Sequence, residues 1–330
     1  MPFQINPSKV PIWKSPSQLQ LGITANSQVL NELTAAQEKL VELLYTGIPQ
    51  AHLSQTAKSV GLSATDASSL IDLLSPSLLS TSTKTGAATD IDLRFAEIIR
   101  IGFETDETPE AIIQTRSRTL VGLSRLGRTE LVLMKALTEA GFRNFQTEDY
   151  DLVSRKDLGE LGYPPGLRGF TRLEAVRSQF LGGNFVTISH PVRRGSKPAL
   201  SILSAMHRLN PKLYRELKTP HLLVEYGIDE LRVSPIIRPG FTPCLGCRDL
   251  WDAESDPNWA ATAIQLTARG DCLDDGNGLL MATAIAGKTI CRYVDQPQAT
   301  SVGFRVDLRS RAVHEWSWQR HPQCSCRLLG

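Results

Sequence analysis

Along residues 10–33 apolar and polar positions alternate, and β-branched residues recur in short runs (VPIWKSPSQLQLGITANSQVLNEL). A period of two is the mark of a half-buried strand, so the stretch predicts short strands joined at Ser15-Pro16 and Asn26-Ser27. From Thr34 the period lengthens. Thr34 and Gln37, three positions on, make a capping box ahead of an amphipathic run through Leu40, Leu43 and Leu44. After a turn at Gly47-Ile48-Pro49, two short helical patterns at 52–60 and 63–74 flank Gly61, as helix-turn-helix units often do. Residues 1–80 therefore read as a small winged-helix-like α+β domain. Its last helical pattern, SATDASSLIDLL, holds no Lys or Arg for phosphates, so peptide or protein docking fits it better than nucleic acid.

Residues 75–90 are Ser/Thr-rich and aperiodic, and the linker is placed at 81–90. Beyond it, 91–330 alternates between two periods. Helical patterns at 93–103 and 110–118 precede a short apolar strand at 119–123, a polar turn at 124–129 and a strongly helical 130–140 stopped by Gly141. A second strand around Phe145 ends at Glu148-Asp149-Tyr150-Asp151. Strand, turn, helix, strand, acid is the order of a nucleotide-binding βαβ unit. Further strands at 184–188, 199–203, 222–224 and 231–237, interleaved with helices at 171–180 and 259–267, predict an α/β layered sheet.

Composition narrows the function classes. The chain has 330 residues, 41% of them hydrophobic, with a formal net charge of +2, too weak a field to argue for nucleic acid. No apolar run approaches the roughly 18 residues of a membrane span, and the N-terminus lacks a signal-peptide core, so a cytoplasmic protein is expected. Six cysteines in a reducing compartment point to metal or free thiols.

Two pairs stand out. Cys244-Leu245-Gly246-Cys247 is a C-x-x-C knuckle, and Cys324-Ser325-Cys326 is a C-x-C pair near the C-terminus. Four thiolates from two close pairs meet the tetrahedral demand of Zn²⁺ and leave no open position for water, which makes the metal structural. The rival reading is a redox C-x-x-C with unrelated cysteines later in the chain; such motifs open a helix after a strand, whereas this one follows Pro239-Gly240. Cys272 and Cys291 read as spare thiols, His321 as a turn residue, and Trp251, Trp259, Trp316 and Trp318 as core around the metal. No G-x-S-x-G elbow and no H-E-x-x-H is present.

The segment KTPHLLVEYGIDELRVSPIIRPGFTPCLGC and the terminal HPQCSC resemble the zinc-binding segments of ThiF/MoeB-type adenylyltransferases and ubiquitin-activating enzymes. GLSRLGRTELVLMKALTEAGFRNFQTEDYD resembles their glycine-rich loop, helix and acidic strand end. RDLWDAESDPNWAATAIQL is similar to a narrower branch, the bacteriocin cyclodehydratase-type (TOMM) ThiF-like proteins, which often carry an N-terminal winged-helix leader-binding element. The resemblance implies a Rossmann-like ThiF-type domain with structural zinc, a homodimer, a precursor peptide as ligand and a YcaO-type cyclodehydratase as partner. It places the nucleotide site at Gly127, Arg128, Asp149 and Arg172, with Asp149 as the ribose acid. Asp149 reads equally as an acid of a strand-end turn.

Departures from the family pattern weigh on ATP and Mg²⁺. The G-x-G-x-x-G register falls on Arg125, Gly127 and Glu130, so two glycines are gone and a carboxylate stands where a helix N-terminus would meet phosphate. The family's Asn and Arg positions hold Asp157 and Glu160, and the strand at 198–205 ends without the aspartate expected to hold Mg²⁺. The reading that follows is a catalytically degenerate ThiF-like protein that binds a leader peptide and presents it to a partner enzyme. An active ATP-dependent adenylyltransferase is the alternative.

Overall fold

The structure, a computed structural model, describes residues 2–6, 9–23, 27–78, 94–104, 109–180, 186–189, 197–215, 217–297 and 302–326. The expected linker, 81–90, lies outside the described residues. The chain divides into two compact units, Met1–Gln114 and Thr115–Gly330.

In the first unit, β1 (Pro2–Phe3) is followed by a meander of β2 (Pro11–Ser15), β3 (Gln18–Leu21) and β4 (Gln28–Asn31), with β3 in the middle. Then come α1 (Ala35–Thr46), β5 (Ile48–Pro49, paired with β1), α2 (Leu53–Ser59), α3 (Ala64–Leu74), α4 (Phe95–Glu104) and α5 (Pro109–Arg118), whose last residues enter the second unit. The alternation read from the sequence is what one face of this sheet buries: Leu19 and Leu21 are buried while Gln18 and Gln20 stay half-exposed. These leucines pack with Ile5, Leu30, Leu40, Leu44, Ile71 and Leu74 into one core. Residues at the head of the stretch read as linker are structured: 75–77 form a 3₁₀ turn and Leu78 bridges to Ile5.

The capping box at α1 is present. Thr34 Oγ1 accepts from the Gln37 amide at 3.3 Å, and Gln37 Oε1 accepts from the Thr34 amide at 2.9 Å. Thr34→Ala should therefore destabilise this unit by about 1 kcal/mol, read as a lower midpoint in urea unfolding, because an orphan helix donor loses its partner.

The second unit is a mixed sheet of eight strands among the described residues, in the order β13-β12-β11-β10-β9-β6-β7-β8. Its elements are β6 (Leu120–Leu123), α6 (Arg128–Glu139), β7 (Asn144–Thr147), α7 (Arg172–Phe180), β8 (Thr187–Ser189), β9 (Leu200–Met206), β10 (His221–Tyr226), β11 (Glu230–Val233), α8 (Leu245–Ser255), α9 (Trp259–Ala268), α10 (Gly276–Asp295), β12 (Gly303–Asp307) and β13 (Val313–Trp316). Strands β8, β7, β6, β9 and β10 are parallel, and β11 to β13 continue antiparallel. Every residue of β10 is buried, as befits a strand covered on both faces. The core runs from Val121, Leu131 and Leu133 through Leu200, Ile202, Leu222 and Val224 to Leu279, Ala286 and Ile290 of α10, which packs on α6.

From β6 the chain steps outward on one side to β7 and β8, then returns to lay β9 on the other side. A crevice therefore opens between β6 and β9 at their carboxyl ends, the topological switch point at which open α/β sheets receive ligands. The sequence patterns missed α8, α10, β12 and β13; of the strand expected at 184–188, residues 184–185 lie outside the described residues and β8 begins at Thr187.

Candidate functional site

The four cysteines of the two pairs meet. Their sulfurs all lie within 4.8 Å of one another, with Cys244–Cys247 at 3.9 Å, Cys244–Cys324 at 3.6 Å and Cys247–Cys326 at 3.5 Å. A Zn–S bond of ~2.3 Å in a tetrahedron sets sulfurs about 3.8 Å apart, and a disulfide about 2 Å, so the spacing fits a metal and excludes bridges. The cysteines split in their acidity: at Cys247 burial is outweighed by backbone hydrogen bonds at His321 and Cys244 and by the Cys326 and Cys324 thiols, which hold it below the ordinary range. Burial, with the adjoining Cys247 and Cys324 thiols, pushes Cys244 up, and burial beside Cys247 and Cys324 pushes Cys326 up to about 11.

Cys244 is the N-cap of α8, so the C-x-x-C does open a helix. Helix placement therefore does not separate metal from redox chemistry here; the second thiol pair at contact distance does. His321 is not among the converging groups. Its Nε2 pairs with Glu254 at 2.9 Å, its Nδ1 accepts from the Gln323 amide at 3.1 Å, and its carbonyl takes the Cys324 amide at 3.1 Å, which shapes the C-x-C turn. Of the two spare thiols, Cys272 is exposed and Cys291 is buried in α10. The tryptophans are not fully buried, and of the four Trp318 packs on the small core beside Cys244 and Leu245. Trp251, Trp316 and Trp318 are half-exposed and line a surface pocket with Arg232 and Arg248, while the Trp318 indole donates to the Cys244 carbonyl at 2.8 Å.

Gly127, Arg128, Asp149 and Arg172 come together around the loop after β6, and each is engaged. Asp149 Oδ2 accepts from the Leu126 amide at 2.6 Å and from Arg172 at 3.2 Å, and its Oδ1 accepts from the Asp151 amide at 2.9 Å. Glu130, fully buried, caps α6: its Oε2 accepts from the Gly127 amide at 3.0 Å, and the Ser204 hydroxyl donates to its Oε1. Burial pushes the Glu130 carboxyl up, against the pull of nearby Arg125, Ser204 and the Gly127 amide. A Cβ on Gly127 would fall 2.9 Å from an Arg125 guanidinium nitrogen and 3.2 Å from Glu130 Oε2, so the space over this glycine is taken by side chains of the chain itself.

Arg172 is a buried hub. It donates to Asp149 and Asp151 through Nη1 and to Asp157 through Nη2, at 3.2, 3.4 and 3.0 Å. Burial alone would raise the Asp157 carboxyl, but the Ser154 amide and hydroxyl and Arg172 hold it below the ordinary range. Arg128 donates to the Asp274 carbonyl at 2.8 Å. What lies open is a cavity of about 290 Å³ at the switch point, lined among others by Arg125, Arg128, Lys156, Arg208, Met206 and Leu213. Lys156, Arg208 and residues 269–274 of this lining escaped sequence reasoning. They reach the crevice from segments far apart, and no local pattern marks them.

No protein-family model matches the chain, and no curated protein does. Among solved structures, E. coli MccB with succinimide superposes with a TM-score of 0.68 at 14% identity, covering 99% of each chain. The microcin C7 biosynthetic enzyme MccB in complex with N-formylated MccA gives 0.67 at 14%, covering 99% of this chain and 100% of that one. PaaA gives 0.57 at 13%, over 77% of this chain and 92% of that one. MccB has also been solved with ATP. The chain thus shares the fold of MccB over nearly its whole length.

Proposed function

We propose that this protein is a ThiF-like member of a peptide-modifying system that binds a precursor peptide without turning over ATP. The observation that carries the second half is the fate of the loop amides. Phosphate binding at a helix N-terminus needs free backbone N–H groups. Here the Leu126 amide is taken by Asp149 and the Gly127 amide by Glu130. A triphosphate would have to expel two carboxylates of the chain and then sit among them. The shared fold with MccB, solved both with ATP and with MccA, supports the peptide half.

The N-terminal unit is the proposed winged-helix-like capture element, acting by strand addition. The stretch IWKSPSQLQLGI spans β2 and β3, and β3 is already paired on both sides, which leaves the outer edges of β2 and β4. Pro11 and a register irregularity between Trp13 and Ser15 blunt β2. Beside β4, Val29 and Leu73 of α3 are 40% and 54% exposed, and the Gln28 side chain ties to the Leu73 carbonyl at 2.6 Å. The β4 edge is the better receptor. Val29→Glu should weaken a cognate leader peptide about tenfold or more in a fluorescence titration and leave stability unchanged, whereas Trp13→Ala should not weaken it. The reverse ranking would move the site to β2, and no binding by either protein would end the peptide reading.

Calorimetry with MgATP tests the other half: no binding tighter than about 1 mM is expected. Binding at about tens of micromolar, with pyrophosphate exchange, would favour an active adenylyltransferase acting on a C-terminal carboxylate. That second reading rests on the Arg125- and Arg128-lined crevice at the switch point. A YcaO-type cyclodehydratase that receives the peptide, zinc in the cysteine site and a homodimer through the α/β unit complete the proposal.

A further inference from the structure

The two outer edges of the N-terminal meander differ in charge. Strand β2 begins at Pro11 and carries an exposed Lys14, and an edge proline and an edge lysine both discourage pairing with another chain. Strand β4 and helix α3 hold no Lys, Arg or Pro. Their charged groups, together with Glu32 just after β4, are all acidic. Asp66 is engaged at the start of α3, where the Ser63 hydroxyl donates to it at 2.6 Å. Glu32 and Asp72 are exposed, and neither carboxylate has a hydrogen-bond or ion-pair partner among the described residues.

Both acids stand where the fold itself gains nothing from them. Asp72 lies in the last turn of α3, which has no basic residue, so it adds charge to the negative end of the helix dipole. Glu32 has a left-handed φ of 54°, which Gly or Asn adopts more cheaply than Glu. The pair also brackets the open edge. Gln28, the first residue of β4, is tied through its side chain to the carbonyl of Leu73, the neighbour of Asp72. At the other end, Glu32 directly follows Asn31, the last residue of the strand.

We infer that the strand received by the β4 edge is cationic, with Lys or Arg at two positions about four residues apart and apolar residues between them. The spacing copies the separation of Gln28 and Glu32 along the chain, and it serves either strand direction. The exposed Val29 and Leu73 meet the apolar positions, while the two carboxylates take the cations. The inference rests on peptide capture at the β4 edge and adds the charge of the peptide.

The test uses the full chain and three fluorescent hexapeptides: Lys-Ile-Thr-Val-Lys-Leu, and its forms with Gln or with Glu at both Lys positions. The Lys peptide should bind at least about fivefold more tightly than the Gln peptide, the Glu peptide should bind weakest, and the advantage should shrink at about 0.5 M salt. Glu32→Asn with Asp72→Asn should erase the advantage and leave the Gln peptide unchanged. The double variant should lose no stability in urea, because Asn suits a left-handed φ and relieves the helix C-terminus. Leu73→Ser should weaken the Lys and Gln peptides alike. Equal binding of the three peptides, still weakened by Leu73→Ser, overturns the cation preference and leaves capture at the β4 edge standing. A Lys advantage that survives the double substitution overturns the assignment to Glu32 and Asp72. No binding of any of the three at about 1 mM overturns both the charge and the capture.

Discussion

Cys247→Ser or Cys324→Ser should lose stoichiometric zinc and release the C-terminal residues from α8. Each removes one of four sulfurs that lie within 4.8 Å of one another, and three buried or half-buried thiols cannot neutralise and hold the ion as four do. Structural zinc contributes about 10 kcal/mol or more to the folding of small fingers. In this unit, with an apolar core of its own, the loss falls on the tail. Residues 318–326 dock through the Trp318 indole on the Cys244 carbonyl, the Arg320 guanidinium on the Gly240 carbonyl and His321 against Glu254, all beside the cysteine cluster. Metal analysis, red-shifted tryptophan emission and rapid tryptic cutting after Arg320 should report the loss together, and chelation of the unmodified protein should reproduce it. Cys272→Ser is the control and should change none of these. Full zinc content with a protected tail in both variants would show that the site is not a metal centre.

Arg172→Ala should cost about 3–5 kcal/mol in the unfolding of the α/β unit, because it strands the buried carboxylates of Asp149 and Asp157. Arg172→Lys should recover little, since an ammonium lacks the fork that spans two carboxylates at once. Urea denaturation measures both. The prediction separates two roles for this residue. An arginine kept to grip phosphate would be dispensable for stability and costly only for ligand affinity; the buried hub described above is the reverse. A stability loss below about 1 kcal/mol for the alanine variant would return Arg172 to the list of free cations and weaken the case against nucleotide binding.

What the sequence disclosed and what it hid divide along physical lines. The β2–β4 meander, α1 with its cap, and β6, α6 and β7 were legible because period, cap and turn residues agree locally. Helix α10, the longest, was not: Gly276, Gly278, Gly287 and four threonine or isoleucine positions depress its propensity, and packing on α6 overrides that. Helix α8 was hidden inside a motif read only for its metal. Strands β12 and β13 carry too few apolar residues to stand out, and their pairing with β11 supplies what their sequence lacks. The convergence of the four cysteines was readable from the spacing of the two pairs. The closure of the nucleotide loop was foreshadowed only at Glu130. The Asp149–Arg172–Asp157 network joins positions up to 23 apart, and the Lys156–Gly270 contact joins positions 114 apart, so only the folded chain reveals that these charges are spent on each other.

The two halves of the cysteine site are separated by 80 positions between Cys244 and Cys324 and by 79 between Cys247 and Cys326. Between them the chain lays down α9, α10, β12 and β13, and the last two strands must align against β11 before the second pair can arrive. An ion held by these four sulfurs would therefore arrive late. A chain still leaving the ribosome offers it half a site, and a chain with a slipped edge strand offers the two halves out of reach. If the cluster takes zinc as proposed, metal uptake would mark finished molecules, and zinc stoichiometry in a preparation would count the correctly threaded fraction.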